Sequence, residues 1–474
     1  MLHTRDWWLC VGALGVYQLS ITLLNAAVFP LFVNVFLEAR DIATLFGAAL
    51  SLALYIAAAT HPQWMEPKRA AIIALLCVGV GAPSMALAAV TGPSALLVIA
   101  SCVRAIGSTW IGCIVCLPLV AIVMRQGTRA TMGALCGGWA LSYALEWGCS
   151  YLSSFAQIAV FCVSPFIVLA LSYRQSSWVI SHALSAPPAA DLRVTNPQSF
   201  LPHGNIVFVM LVLLKMSFGF SMAFDSVNAT PRDTVLACIP ALVIAIVLTM
   251  TTRPGLGLNG FYRATMLCVL AGFLLVNPAI GSVHGGPALA NIVLRAGSDL
   301  TRMFAFLLVA YLGSRNLMNA LGISLYLSAA NSLGSVAGAQ LGMLADRVLF
   351  NDPGTFSLLL AIFVFAFVTY NVLAPHSFDF DKTAHSIEAL ATPRASEQTD
   401  ILTRACAQLA ADHGLTPREA EALELLAHGR NTQAIQERMV VSRSTAKTHI
   451  RNVYAKLGVH AQQELIDLVE RTAP

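Results

Sequence analysis

The chain has 474 residues, of which 57% are hydrophobic and only 11% are charged, and its formal net charge is +4. Soluble globular domains carry about 25% charged residues, so this composition excludes a chain that is soluble throughout. The small net charge, mixed in sign, does not by itself indicate a nucleic-acid partner. The last hundred positions hold 24 of the 52 charged residues, which predicts a long membrane domain followed by a short soluble one.

Twelve apolar runs approach the roughly 20 residues that a helix needs to cross a bilayer. The runs cover residues 7–29, 42–59, 70–90, 95–124, 132–151, 153–173, 206–224, 234–250, 265–280, 288–312, 320–344 and 356–373. A polar, proline-rich stretch at 174–205 separates the sixth run from the seventh. We therefore predict a polytopic helical membrane domain of about twelve spans in residues 1–374, with six-span halves at 7–173 and 205–374.

Basic residues in the loops predict the orientation of the spans, because cytoplasmic loops carry an excess of Lys and Arg. With the N-terminus inside, ten basic residues lie in inside loops and three in outside loops. Both ends of an even number of spans then lie in the cytoplasm. The inside residues are Arg5, Lys68, Arg69, Arg125, Arg129, Arg174, Arg193, Arg253, Arg263 and Arg315, and the outside residues are Arg40, Arg232 and Arg347.

A weak internal repeat favours two related halves. The pair Gly92-Pro93 is followed after eleven residues by Arg104, and Gly286-Pro287 is followed after eight by Arg295. Each arginine lies in the fourth span of its half, as expected for an internal repeat. Chance recurrence of two common dipeptides is the alternative.

Two halves of six spans resemble the major facilitator superfamily of transporters, and the resemblance covers about residues 7 to 374. It rests on architecture alone. The loop between spans two and three keeps only the basic residues of the superfamily's signature, Lys68 and Arg69. This departure argues against active transport.

Charged residues inside the predicted spans are the candidate ligand site, because each is costly in hydrocarbon unless it faces protein or water. They are Arg104, Glu146, Lys215, Arg295, Asp299 and Arg302. Arg295, Asp299 and Arg302 share one helix face, so Asp299 can neutralise one arginine while another meets an anion. We predict that all of these except Lys215 line a small-molecule cavity between the halves. The alternative is an internal salt-bridge network, with Lys215 as a snorkelling side chain.

Two other motifs carry no function. Cys113 and Cys116 form a C-x-x-C inside an apolar run, without a second pair or nearby histidines, so packing between helices is favoured over a metal or redox site. The glycines at 255–260 match a dinucleotide-binding pattern, but they lie between membrane spans without a βαβ unit and are predicted to form a loop. We predict no cofactor, no metal and no enzymatic activity.

The C-terminal hundred residues change character. Charged, Ser, Thr and Pro residues dominate 375–410, which predicts a cytoplasmic linker. Thr416, Pro417 and Glu419 predict a helix N-terminus with a capping box. Three helices follow in the pattern: one that buries Ala420, Leu423 and Leu426, a short one that buries Ile435 and Met439, and a third, capped by Ser442 and ended by Gly458, that buries Ala446, Ile450, Val453 and Leu457.

The third helix has the composition of a DNA recognition helix. Its other faces carry Arg443, Lys447, Arg451 and Lys456, interspersed with Ser444, Thr445 and Thr448, and no acidic residue. Lys and Arg can donate to guanine O6 and N7 in the major groove, and a threonine methyl can contact thymine. A merely solvated basic face is the alternative.

The surrounding residues resemble the DNA-binding domain of LuxR-type regulators over about sixty residues. The matching positions are Leu415-Thr-Pro-Arg-Glu419, Gly429, Ile435, Glu437-Arg438, Ser442, Thr445, Lys447, His449, Asn452 and Lys456-Leu-Gly-Val459. The resemblance implies a four-helix helix-turn-helix domain at 411–474 and hence an all-α chain. Ala434, Gln436 and Ala446 depart from the family pattern in ways that would loosen the packing of the second helix.

The resemblance also assigns roles on double-stranded DNA. It implies that Lys447, Thr448 and Arg451 contact base edges, with Arg443 on the same helix. Residues Ser444, Thr445 and Lys456 would contact phosphates, and 461–470 would supply the contact of a homodimer bound to inverted half-sites.

The two predictions combine into a multi-pass protein of the bacterial cytoplasmic membrane that binds DNA and senses a small ligand through its membrane domain. Direct sensing requires a ligand whose affinity differs between two arrangements of the spans. The alternative is a secondary transporter with a regulatory tail, in which Glu146 and Asp299 carry protons.

Overall fold

The computed structural model describes residues 5–36, 38–184, 206–223, 235–251, 258–276, 286–373, 405–427, 435–436, 439, 442–459, 464–465, 468–469 and 472. These residues form helices and their connections, and within them there is no strand. The chain divides into two compact units, Met1–Leu390 and Ala391–Pro474. We call them the membrane unit and the C-terminal unit.

The described residues of the first half of the membrane unit form seven helices of ten residues or more, of which two occupy one predicted span. They are α1 (Arg5–Leu23), α2 (Ala39–Thr60), α3 (Pro67–Thr91), α4 (Ser94–Ile114), α5 (Leu117–Gln126), α6 (Thr128–Cys149) and α7 (Ser154–Leu184). A π-helical turn, Leu24–Val28, and a short helix, Phe29–Phe32, extend α1. The predicted fourth span, 95–124, is interrupted between α4 and α5, where Pro118 stands in the first turn of α5. Proline lacks the N–H that a helix interior needs.

The described residues of the second half form six helices, one for each predicted span. They are α8 (Ile206–Ala223), α9 (Val235–Thr251), α10 (Leu258–Val276), α11 (Gly286–Arg315), α12 (Leu317–Asn351) and α13 (Pro353–Leu373). The third of these begins at Leu258 rather than at residue 265, so Gly260, predicted to lie in a loop, is helical. Residues 255–257 lie outside the described residues.

The membrane character of the unit follows from helix length and composition. Seven helices among the described residues are long and apolar enough to cross a membrane, and two shorter apolar segments, Phe208–Ser217 and Ile239–Thr249, accompany them. Large apolar side chains such as Phe155, Val90 and Phe365 are exposed on the surface of the unit, as expected where lipid is the solvent. The count of twelve spans stays a prediction.

Close packing of the helices depends on small residues. A side chain at Gly81 of α3 would overlap the backbone of Arg104 in α4, and one at Gly338 of α12 would overlap the carbonyl of Met216 in α8. Small residues let membrane helices approach to backbone contact. Gly81 therefore sets the position of Arg104.

One end of the first half is held together by Asp6. Its carboxylate accepts from Arg125 at 3.2 Å and from Arg174 at 3.2 Å, and its backbone carbonyl accepts from Gln175 at 2.8 Å. The N-terminus of α1, the end of α5 and the middle of α7 therefore meet. Arg125 and Arg174 are among the residues predicted to face the cytoplasm; that orientation stays a prediction.

The C-terminal unit has its own hydrophobic core. Its main helices are α14 (Pro417–Ala427) and α15 (Arg443–Leu457), and a further helix covers 405–412. Ile435 and Met439 are buried, as predicted. Ala405, Cys406 and Leu409 also lie in this core, although the predicted linker extended to residue 410. Their apolar side chains, four or fewer residues apart, form one face of a helix.

Several predictions for the two units fall outside the described residues. The bounds of the short second helix belong to this group, as do Arg193, Arg232 and Arg253 of the loops and most of the proposed dimer segment at 461–470. Leu465 and Val469 of that segment are described, and both are buried in the core.

Candidate DNA-binding surface and membrane cavity

The start of α15 is fixed by its cap. The Ser442 hydroxyl accepts from the backbone N–H of Thr445 at 3.2 Å and shares a 2.8 Å hydrogen bond with the Thr445 hydroxyl. Such caps satisfy an orphan N–H of the first turn. Gly458 ends the helix with φ at 69°, in the left-handed region that favours glycine. Both ends of the predicted third helix are confirmed.

The buried face of α15 matches the predicted spacing. Ala446, Val453 and Leu457 are buried, and Ile450 packs at the edge of the core. The opposite side exposes the residues predicted to contact DNA: Ser444, Thr445, Lys447, Thr448, Arg451 and Lys456. The side chain of Arg443 lies outside the described residues. Ser444, Thr448 and Arg451 lie three or four residues apart and share a face, so one groove could admit them together.

Lys456 is engaged within the unit. Its ammonium donates to the Glu419 carboxylate at 2.7 Å and to the carbonyl of Gly414 at 3.0 Å. Asn452 donates to the other Glu419 oxygen at 3.1 Å. An ammonium has three N–H donors, and two are used here. Lys456 therefore holds α15 against the start of α14, and its contact with a phosphate stays a prediction.

Glu419 connects both helices. Its carboxylate accepts from the backbone N–H of Thr416 at 2.9 Å, while its own N–H donates to the Thr416 hydroxyl at 3.4 Å. The predicted capping box is therefore confirmed. The hydrogen bond from Lys456, followed by the one from the Thr416 backbone, lowers the pKa of Glu419 from 4.5 to about 2. Hydrogen bonds to a carboxylate favour its charged form.

A cavity of about 240 Å³ lies between the two halves of the membrane unit. Four of its lining residues are cationic, namely Arg40, Arg104, Lys215 and Arg302, and Asp41 is the single carboxylate that the described lining contains. Apolar lining comes from Tyr17, Phe29, Phe306 and several aliphatic residues. The cavity lining therefore contains both cationic and aromatic side chains.

Arg302 and Asp299 form a buried network with the first half. Tyr143 donates to Asp299 at 3.0 Å, and Gln18 donates to it at 3.2 Å. The Arg302 guanidinium donates to the Gln18 side-chain oxygen and lies 3.9 Å from Asp299. The predicted shared face of Arg302 and Asp299 is present, and it faces α1 and α6. Asp299 itself does not line the cavity.

Arg295 and Glu146 are paired across the halves. One guanidinium nitrogen of Arg295 in α11 lies 2.8 and 3.0 Å from the two carboxylate oxygens of Glu146 in α6. Neither residue lines the cavity. Of the five predicted ligand residues, the structure places Arg104 and Arg302 at the cavity and the other three in contacts between helices. The salt-bridge alternative describes Arg295 and Glu146.

Lys215 belongs to the cavity rather than to the lipid interface. It is 2% exposed, and its ammonium donates to the hydroxyl of Ser298 at 2.9 Å and to the Ser298 carbonyl at 3.2 Å. The snorkelling interpretation of Lys215 is therefore wrong, because its charged end lies inside the bundle. Ser298 is adjacent to Asp299 in α11, so Lys215 also links α8 to that helix.

Several polar residues at the site were not predicted. Gln18 and Tyr143 contact Asp299, whereas Asp41 pairs with Arg40 at 2.9 Å and accepts from Gln340 at 2.7 Å. Gln18 and Tyr143 carry no formal charge and so escaped a search for charged residues within spans. Asp41 was missed because it stands at the beginning of its helix, just before the predicted span.

Comparison with known proteins gives separate matches for the two units. Residues 413–469 match the family model described as "Bacterial regulatory proteins, luxR family". Fimbriae Z protein of Salmonella typhimurium is 30% identical over 96 residues, which are 20% of this chain and 40% of that protein. The response regulatory protein YgeK of Escherichia coli is 44% identical over 55 residues, which are 12% of this chain and 37% of that protein. The matches thus span less than half of either relative.

The membrane unit is similar to a solved transporter. The crystal structure of the human organic anion transporter MFSD10 matches with a TM-score of 0.50 and 14% identity, over 78% of this chain and 100% of that one. At this identity the likeness shows the fold alone. The chain therefore combines a membrane fold of the major facilitator type with a C-terminal LuxR-type helix-turn-helix domain, and both predicted resemblances are confirmed.

Proposed function

We propose that this protein is a membrane-anchored one-component transcriptional regulator, which binds DNA through α15 and senses a small ligand through its membrane unit. The observation that carries the proposal is one exposed helix face with Lys447, Thr448 and Arg451, inside a segment that matches the LuxR-type family model. Such a face, free of acidic residues, suits the major groove.

The proposed contacts divide into two groups. Lys447, Thr448 and Arg451 contact base edges, whereas Ser444 and Thr445 at the capped start of α15 contact phosphates. Arg443 and Lys456 add positive charge at the two ends of the helix. Two copies of the domain bind inverted half-sites as a homodimer.

The location of the protein follows from the same proposal. The DNA-binding unit must lie on the side of the membrane where the chromosome is, so both termini are cytoplasmic and the membrane is the bacterial cytoplasmic membrane. The meeting of Asp6, Arg125 and Arg174 at one end of the bundle supports this orientation, because it collects basic residues at the end that we assign to the cytoplasm.

Sensing is assigned to the membrane unit because a cavity that four cationic residues help to line lies between its halves. A ligand that binds more tightly to one arrangement of the halves shifts the population toward that arrangement. The contacts that span the halves, Arg295 with Glu146 and Arg302 with Gln18, must change if the halves move. In the proposed mechanism these are the contacts that differ between the two arrangements of the halves.

Transport is the second candidate, and the observation that favours it is the same cavity in a transporter-like fold. The two functions differ in what happens to the ligand. A sensor binds it without net flux, whereas a proton-coupled transporter in proteoliposomes accumulates it when an imposed proton gradient drives uptake. Flux that depends on Glu146 or Asp299 would support transport, because those carboxylates are the candidate proton carriers.

The experiment that tests the proposal is selection of random double-stranded DNA by the full chain in lipid nanodiscs. We expect enrichment of an inverted repeat by the native protein and none by Lys447→Ala/Arg451→Ala. The matched control, Lys68→Ala/Arg69→Ala, removes the same two charges from exposed positions at the start of α3 and should select the same repeat. Equal enrichment by all three proteins would contradict base recognition by α15.

A further inference from the structure

The charged groups that line the central cavity differ in how far neighbouring residues pair with them. Asp41 pairs with Arg40 at 2.9 Å and accepts from Gln340 at 2.7 Å, and Arg302 faces Asp299 and Gln18. Those charges therefore have partners on neighbouring helices. The four cationic residues of the described lining still outnumber its carboxylate.

Arg104 differs from the other cavity cations. Its Nε is buried, and among the described residues it has no hydrogen-bond partner. The backbone of α4 at Arg104 lies against Gly81 of α3. A movement of α4 away from α3 would therefore open this close contact. An arginine inside a membrane bundle is stable only when it pairs or meets water or a ligand.

The cavity lining also contains aromatic and aliphatic residues. Tyr17, Phe29 and Phe306 are among them, and Phe306 also packs edge-on against the buried Trp139, with ring centroids 5.9 Å apart. For comparison, a dry apolar cavity of about 150 Å³ binds benzene. A cavity of about 240 Å³ therefore has room for a ring with a short acidic substituent.

We propose that this cavity binds a small amphipathic carboxylate, with the carboxylate at Arg104 and the ring or alkyl part against Tyr17, Phe29 and Phe306. Arginine favours a planar carboxylate because its donors form a fork. The proposal rests on the proposed sensing function and names the class of ligand that is sensed. It assigns Arg104 as the residue that binds the carboxylate.

Part of the cavity lining lies near one end of the membrane unit. Arg40 and Asp41 stand at the start of α2, and Phe29 follows the π-helical turn at the end of α1, so this part of the lining lies at the end of α1 opposite to Asp6. In the proposed orientation that end faces away from the cytoplasm.

Tryptophan fluorescence allows binding to be measured on the intact protein. All seven tryptophans of the chain precede residue 179, so thermal unfolding followed by their emission reports the membrane unit alone. The probe is phenylacetate, the neutral control is phenylacetamide, and inorganic phosphate is the bare anion. We expect phenylacetate to raise the Tm with concentration and the other two to leave it unchanged.

Variants separate ligand binding from packing. Arg104→Gln should weaken phenylacetate binding at least tenfold, whereas Arg104→Lys should retain part of it. Without ligand, Arg104→Gln should melt at or above the native Tm, because it removes a buried guanidinium whose Nε lacks a partner. The control Arg69→Gln loses the same charge at a side chain that is 79% exposed and should bind normally.

Four results would overturn the proposal. They are equal stabilisation by phenylacetamide, stabilisation by phosphate alone, no shift from any carboxylate between benzoate and 4-phenylbutyrate, and an Arg104→Gln variant that melts lower without ligand while binding phenylacetate normally. The assay contains no DNA, so its failure leaves the DNA-binding function standing. A failure of DNA selection likewise leaves carboxylate binding standing.

Discussion

The two units carry similar cationic residues in opposite environments. Lys447 and Arg451 are exposed on α15, where water solvates their charge and leaves them available to a polyanion. Lys215 and Arg302 are 2% and 11% exposed in the membrane unit, where each charge must be compensated by protein or ligand. The same residue types thus form an open surface in one unit and a network that holds helices in the other.

The largest expected effect comes from removing one partner of the ion pair that Glu146 and Arg295 form between the halves. Glu146→Gln leaves the Arg295 guanidinium, whose side chain is 20% exposed, without its carboxylate. Removal of one partner of a buried ion pair typically costs about 3 to 5 kcal/mol. We expect a lower Tm by tryptophan fluorescence. The double variant Glu146→Gln/Arg295→Gln should recover most of the loss, and a double variant as unstable as the single one would show that the pair is not the cause.

Removal of one exposed cation should leave stability unchanged and reduce DNA discrimination. Lys447→Ala or Arg451→Ala should cost about 1 to 3 kcal/mol of discrimination between the selected repeat and random DNA. Fluorescence anisotropy at fixed salt measures it. An equal loss on both DNAs would instead make that residue a phosphate contact, since phosphate contacts are independent of sequence.

The pH dependence of the C-terminal unit tests the pairing of Lys456 on α15 with Glu419. Because the pKa of Glu419 falls from 4.5 to about 2 on folding, the charged carboxylate stabilises the folded state fully above about pH 4.5. That contribution is lost as the pH falls from 4.5 toward 2. Hydrogen exchange of peptides from α14 and α15, corrected for intrinsic rates, should rise over this window. Glu419→Gln should remove the pH dependence specific to these peptides.

The smallest effect is expected at the helix cap. Ser442→Ala removes the hydroxyl that accepts from the Thr445 N–H and should destabilise α15 by about 1 kcal/mol. Hydrogen exchange should rise in the first turn of α15 and stay unchanged in α14. Ser444→Ala is the control, because the Ser444 hydroxyl shares a 2.8 Å hydrogen bond with the Ser442 hydroxyl but, among the described residues, caps no backbone N–H. Faster exchange with Ser444→Ala than with Ser442→Ala would contradict the assigned cap.

Sequence predicted most of the helices because their determinants are local. Capping by Ser442 and Glu419, termination at Gly458 and the spacing of Ala446, Val453 and Leu457 all depend on residues within a few positions of one another. The same holds for the apolar runs of the membrane unit. The break between α4 and α5 was missed although Pro118 marks it, because the run is continuously hydrophobic across it.

The contacts of the charged groups were less predictable. The partner of Arg295 is Glu146, 149 positions away, and the partner of Asp299 is Gln18, 281 positions away. Such pairs depend on how the two halves pack, which no local pattern records. The same limit applies to Lys456, for which the resemblance implied a phosphate contact but whose ammonium is held by Glu419. Their formal charge identified these residues in the sequence, but their partners depend on how the helices pack.

The most direct test of a membrane-anchored regulator is the recovery of chromatin crosslinked to the tagged full-length protein, beside Lys447→Ala/Arg451→Ala and with both proteins verified in the membrane fraction. We predict discrete chromosomal sites for the native protein that contain the repeat selected in nanodiscs and that disappear in the variant. The same sites in both proteins, or none in either, would contradict the proposal that α15 regulates genes from the membrane.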